Sequence, residues 1–129
     1  MKFRLAIFSA FVMSLLTACS PSPSSVIKDF YIDVSDGKID EALGLFDLEQ
    51  ATSQGFSRDK LRSALMSKSD EIHNEKCGGL AEVKVLNEEV RGDIATQKVR
   101  LTCKTRAWKD VDGKLMKGKD GWRVVVFLR

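Results

Sequence analysis

At Cys77-Gly78-Gly79 the hydrophobic period of this chain changes, and that change excludes most folds. Before it, apolar residues recur at helical spacing. After it, they recur at every second position, the spacing of a half-buried strand. Helices first and strands afterwards describe an α+β domain, with N-terminal helices packed on a curved antiparallel sheet. A parallel βαβ architecture would need helical spacing between the strands, and that spacing is missing after Gly79.

Three helices are expected. Val26, Phe30 and Val34 share a face with Ile27 and Tyr31 alongside. Ser24 or Ser25 caps the start, and Gly37 can take the left-handed stop conformation. Ile39, Ala42, Leu43 and Phe46 form the stripe of a second, short helix, with Asp40 and Glu41 in its first turn, where the dipole favours them. The third has the clearest start. Ser57 is a good N-cap, and Phe56 and Leu61 have the spacing of a hydrophobic staple. Leu61, Ala64, Leu65, Lys68 and Ile72 then mark one face.

The strands follow. Ala81, Val83 and Val85 alternate with charged residues, whereas Leu86 and Val90 fall on the other phase, so a bulge is expected near Leu86. Arg91-Gly92-Asp93 is a turn. From Ile94 to about Ala107, Val99, Leu101 and Cys103 face the core, opposite Lys98, Arg100 and Lys104. Asp112-Gly113 and Lys119-Asp120-Gly121 read as further turns. Trp122 to Leu128 closes the sheet, with Val125 and Phe127 on its second face. Unless a helix covers them, these two form an exposed apolar patch and a candidate interface.

The N-terminus carries an address. Lys2 and Arg4 precede the uncharged run Leu5 to Leu16. That run is shorter than the roughly 20 apolar residues a spanning helix needs, and reads as a cleavable signal. Leu16-Thr17-Ala18-Cys19 resembles the lipobox of bacterial lipoproteins. The resemblance implies cleavage before Cys19, acylation of that residue and anchoring to a membrane. It divides the chain into a signal at 1–18, a lipidated tether at 19–25 and one domain at 26–129. Ser20 stands where inner-membrane retention commonly uses aspartate, which implies the outer membrane, facing the periplasm. The prolines of Ser20-Pro21-Ser22-Pro23-Ser24-Ser25 favour an extended tether of about 20 Å or less.

Of 129 residues, 21 are Lys or Arg and 18 are Asp or Glu; without Lys2 and Arg4 the balance falls to +1. A nearly neutral domain gives no electrostatic case for nucleic acid. With Cys19 acylated, Cys77 and Cys103 remain as an even pair in an oxidising compartment, where a disulfide is expected; the alternative is two buried thiols. The bond would stabilise the domain by roughly 3 kcal/mol on the chain-entropy account. One histidine and no Cys-x-x-Cys argue against a metal site, and no cofactor motif is present.

The ordered pieces Val26-Ile27-Lys28-Asp29-Phe30-Tyr31, Asp36-Gly37-Lys38-Ile39-Asp40-Glu41-Ala42, Cys77-Gly78-Gly79-Leu80 and Lys119-Asp120-Gly121-Trp122-Arg123-Val124 resemble the small bacterial lipoproteins with a nuclear-transport-factor-2-like (cystatin-like) domain. That group is largely of unknown function. The resemblance departs at Trp108 to Met116, which alternates poorly, so the length of the third strand is left open. The fold hosts both ketosteroid isomerase and pure binding domains, and fold alone does not choose between them.

Catalysis on such a scaffold needs an acid or base held in an apolar cone between sheet and helices. The candidates are thin. His73 is expected as a solvated helix-terminal residue, and Tyr31 as a core ring with its hydroxyl at the rim. Asp29 and Asp33 share a face away from the apolar stripe, and Glu82, Glu88 and Glu89 fit the polar side of a strand. Lys114, Lys117, Lys119, Arg123 and Arg129 read as a charged hairpin interleaved with Asp110, Asp112 and Asp120. The expected function is therefore a non-enzymatic binding or assembly module, with an envelope protein, a small apolar ligand or a second copy as partner. The competing readings are a ketosteroid-isomerase-like enzyme, and an inhibitor or immunity protein against a cell-wall hydrolase acting through a loop at Trp108 to Lys119.

Overall fold

The computed structural model describes residues 21–125. Cys19, Phe127 and Arg129, each singled out in the sequence, lie outside the described residues. Four helices precede four strands: α1 Pro23–Ser35, α2 Ile39–Leu43, α3 Leu48–Ser53, α4 Arg58–Ile72, β1 Leu80–Arg91, β2 Ile94–Cys103, β3 Trp108–Gly118 and β4 Gly121–Val124. The strands form one antiparallel sheet in the order β1-β2-β3-β4.

The first helix starts earlier than its apolar stripe does. Ser22 is the N-cap, its hydroxyl accepting from the Ser25 amide, and Pro23 occupies the first turn. A proline there loses no hydrogen bond and arrives with a helical φ. The helix therefore takes Pro23, Ser24 and Ser25 from the expected tether. Its Val26, Ile27, Phe30 and Val34 are buried on the sheet. Phe30 meets Phe46 edge to face at 5.1 Å, which joins α1 to the segment after α2.

The α3 helix is not marked by any apolar stripe, and sequence periodicity misses it. Asp47 accepts from the Gln50 amide at 3.1 Å, the Asp-x-x-Gln spacing of a capping box. On α4, Ser57 caps as expected, accepting from the Lys60 amide. Its buried face is Leu61, Leu65, Ser69 and Ile72; Ala64 is exposed.

The bulge falls at Leu86. Val85 pairs with Val99 and Asn87 with Lys98, so Leu86 is the extra residue. It reverses the phase of β1: Val83 and Val85 face the helices before it, Glu88 and Val90 after it. Glu88 is thus on the concave face, accepting from Gln97 Nε2 at 2.8 Å and Ser24 Oγ at 2.9 Å, rather than on the polar side.

The third strand corrects the sequence reading most. Asp112-Gly113 is no turn. Gly113 pairs with Gln97 in the middle of an eleven-residue strand, and Trp108 to Lys119 is no protruding loop. A β-carbon on Gly113 would lie 3.1 Å from Gln97 Oε1 and 3.5 Å from Ile27 Cδ1. Glycine is there because α1 crosses the sheet closely at that point, a role distinct from turning the chain. The Lys119-Asp120 turn forms as expected, between Gly118 and Gly121.

At the sheet edge, β4 is short, and Val125 is only 4% exposed, its amide donating to the Lys114 carbonyl at 3.0 Å. Val125 is therefore not part of an exposed patch. The α2–α3 connection straps this edge: the Val124 amide donates to Leu45 and its carbonyl accepts from Asp47.

Candidate functional site

The helices and the concave sheet face diverge at one end, where α1 and α4 finish and β1 begins. Three devices build that end. Gly78 and Gly79 have φ of +70° and +99°, the left-handed region that glycine occupies at little cost, and they turn the chain from α4 into β1. Asn74 Oδ1 accepts the amides of Lys76 and Cys77 and fixes the loop before them. Cys77 is then bonded to Cys103 at the end of β2, with an S–S distance of 2.01 Å and Cα atoms 4.8 Å apart.

Below this corner lies a cavity of about 250 Å³. Its walls are Tyr31 from α1, Ile72 from α4, Leu80, Leu101 and Val111 from the sheet, and the disulfide. Lys68, Glu71, Lys76 and Lys109 stand around the opening. The volume is just below the usual range of small-molecule pockets, so it suits one aromatic or short aliphatic group better than a whole cofactor. Two larger clefts, of about 420 and 530 Å³, are lined mainly by polar and charged side chains such as Glu88, Lys98, Asp112, Glu49 and Asp120.

Trp108, the first residue of β3, borders the cavity, but it pairs with Thr102, one step out of phase with the Leu101–Lys109 pair on the cavity face, so its ring is on the convex face of the corner. It is 60% exposed. Arg100 lies 4.0 Å from its ring centre. The guanidinium is gripped in turn by both oxygens of Asp110, at 2.8 and 3.0 Å. That bidentate bond holds the Asp110 carboxyl below the ordinary range and raises the Arg100 guanidinium further. The ring is thus stacked on a fixed cation. Sequence reading placed Trp108 in an irregular stretch and did not single it out. The signal was Arg100, eight residues earlier on the outer face of β2.

The expected chemical candidates disperse. Tyr31 reaches the cavity wall, half-buried, as a core ring at the rim. His73 is exposed at the end of α4, as expected, where it is the C-cap, and its Nε2 contacts the Ser35 carbonyl, tying the ends of α4 and α1 together. Asp29 and Asp33 are on the outer side of α1, where partial burial and then the Asp29 charge push the Asp33 carboxyl up. Within the expected charged hairpin Arg123 pairs with Asp120, whereas Asp110 and Asp112 pair across to Arg100 and Lys98 on β2. Among the described residues no group of three His, Cys, Asp or Glu could hold a metal, and no helix is long and apolar enough to cross a membrane.

Solved structures share this arrangement. A protein from Campylobacter jejuni, named as a candidate NTF2-like transpeptidase, matches with a TM-score of 0.72 at 18% identity, over 83% of this chain and 100% of that one. The fold is NTF2-like. A SEC-C motif containing protein from Rhodopseudomonas palustris matches with a TM-score of 0.53 at 16% identity, over 81% of this chain and 76% of that one. No protein-family model and no curated protein matches the sequence. In this fold the cavity lies between the helices and the sheet. The fold agrees with the NTF2-like part of the resemblance read from the ordered sequence pieces.

Proposed function

We propose that this chain is a lipid-anchored protein of the bacterial envelope whose NTF2-like domain binds a partner group in the cone without catalysing a reaction on it. The observation that carries the reading is the cavity itself. Its walls are apolar, and on the convex face of the same corner an exposed, cation-stacked Trp108 adds a rigid aromatic contact surface. The partner is an envelope protein presenting one apolar side chain, or a small apolar ligand. The signal-like run, the lipobox-like Leu16-Thr17-Ala18-Cys19 and the disulfide together favour an exported, Cys19-acylated form. Ser20 favours the outer membrane.

An isomerase-like reading asks for a buried acid or base aimed into the cone. The ionisable groups at this cavity other than Tyr31 stand at its opening, and Lys68 faces Glu71 at 3.4 Å. The name of the Campylobacter jejuni protein raises a transpeptidase reading, which needs an activated nucleophile. Among the described residues both cysteines are in the disulfide and the one imidazole contacts the Ser35 carbonyl, so neither residue type supports it.

The test uses the sulfonated naphthalene dye ANS, an aromatic body with an anionic group that suits apolar walls rimmed by lysines. Saturable one-to-one binding, lost in Ala107→Trp at the mouth, is expected. Binding unchanged by that substitution would place the dye elsewhere and count against the cavity. Fatty-acid labelling of the wild type, absent in Cys19→Ala, tests the anchor separately.

A further inference from the structure

The domain is polar in the directional sense, and its two ends differ. The cavity, the disulfide and Trp108 occupy the end where β1 begins and α1 finishes; there Ser35 Oγ accepts the Leu80 amide. The opposite end holds the start of α1, where Ser24 Oγ donates to Glu88, and the β1–β2 hairpin that runs past it. Val90 is two residues beyond Glu88 on the same concave face, past the point where helix cover begins. It is 49% exposed. Around the tip, Ile94 pairs with Met116 on the convex face, and these are 39% and 37% exposed. Apolar side chains thus project from both faces of the sheet at one end, instead of forming a patch on one face.

We propose that this hairpin end rests in the headgroup region of the bilayer that anchors the protein, and that the cavity therefore opens away from the membrane. The inference rests on acylation of Cys19. Cys19 is three residues before Ser22, the cap of α1, so its Cα lies within about 11 Å of that cap whatever path the chain takes. An acyl anchor on so short a lead holds the start of α1, and the hairpin beside it, at the lipid surface. There the anchor supplies a high effective concentration, so that a contact too weak to recruit the domain alone is still populated. On the same tip Arg91 is paired with Glu89 and Asp93 adds a negative charge, so the contact is carried by apolar side chains and not by attraction to anionic headgroups. Leu80 and Val90 pair with Cys103 and Ala95, eight residues apart on β2, which puts the cavity about 26 Å further out at about 3.3 Å per residue. The domain would then present Trp108 to partners in the periplasmic space, not to the membrane.

The test uses methyl-labelled protein purified from the envelope in its acylated form, placed in nanodiscs of phosphatidylethanolamine and phosphatidylglycerol containing a gadolinium-chelating lipid. Paramagnetic relaxation should be several-fold stronger at the Val90, Ile94 and Met116 methyls than at Leu80 and Val111. Equal or stronger relaxation at Leu80 and Val111 would overturn the orientation while leaving the anchor intact. Absence of an acyl mass on Cys19 would overturn the anchor, and this inference with it. Val90→Glu combined with Ile94→Glu replaces exposed side chains and should weaken the relaxation at Met116 with the acyl mass unchanged; relaxation as in the wild type would refute the apolar contact.

Discussion

Arg100 and Trp108 face each other across the β2–β3 pair, the guanidinium 4.0 Å from the ring centre, with Asp110 holding the far side of that guanidinium. A mobile indole would lose entropy on meeting a partner. A stacked one loses less, which is the advantage of preorganisation. Trp108→Ala should therefore weaken partner binding while leaving dye binding in the cavity nearly unchanged, and, because the ring is exposed, shift stability by no more than about 0.5 kcal/mol. Asp110→Asn should weaken partner binding less, by loosening Arg100. Fluorescence titration beside urea melts separates the two effects. Equal partner binding by Trp108→Ala would remove the residue from the site.

Two carboxyls give pH signatures of opposite sign. Hydrogen bonding to Arg100 lowers the Asp110 carboxyl in the folded state, so its contribution is present above the unfolded value of about 4 and is lost as pH falls through the folded one. Partial burial and Asp29 raise the Asp33 carboxyl. The folded state then holds the extra proton, and stability declines as pH rises through that window. Asp33→Asn should stabilise the domain at neutral pH and do nothing at pH values where the carboxyl is already protonated. Urea unfolding at pH 3 and pH 7 would show it; a loss of stability at neutral pH would contradict the stated surroundings of Asp33.

Gly113 offers a packing test. An added β-carbon presses on Gln97 Oε1 and Ile27 at the crossing of α1 over the sheet. Gln97 is 5% exposed, and its Oε1 is buried without a partner among the described residues, so it has little room to move. Gly113→Val should cost about 1–3 kcal/mol, as overpacking does. A neutral result in thermal melts would favour a turn at this position over a strand.

The disulfide closes a loop with a sequence separation of 26. Reduction, or Cys103→Ser with Cys77→Ser, should cost roughly 3 kcal/mol. It should also release the corner that bounds the cavity, so dye binding is expected to fall with stability. Thermal melts with and without reductant, with mass mapping of the Cys77–Cys103 peptide pair, provide the check.

The legible parts of the fold were those governed by one local rule. The Ser57 cap with its Phe56 and Leu61 staple, the Leu86 phase break and the Gly78-Gly79 reversal each depend on a few adjacent residues, and each was readable. Gly113 was misread because a glycine beside an aspartate has the chemistry of a turn, and only a helix from the other half of the chain makes it a strand residue. Glu88 was misplaced for a related reason: the bulge turns it inward with Val90, where Gln97 and Ser24 supply hydrogen bonds that no sequence window contains. The site was less legible than the fold. Its disulfide followed from cysteine parity, but the exposed aromatic beside it depends on Arg100, Trp108 and Asp110 meeting across two strands, and strand register is a tertiary fact.

The central claim is that the cavity between the helices and the sheet takes an apolar group. Methyl spectra of the oxidised domain titrated with benzyl alcohol test it most directly. The account predicts saturable shifts at Leu80, Leu101 and Val111, with Ala95 and Leu115 at the far end unmoved. Shifts absent from these wall residues, or equally large at Ala95 and Leu115, would contradict it.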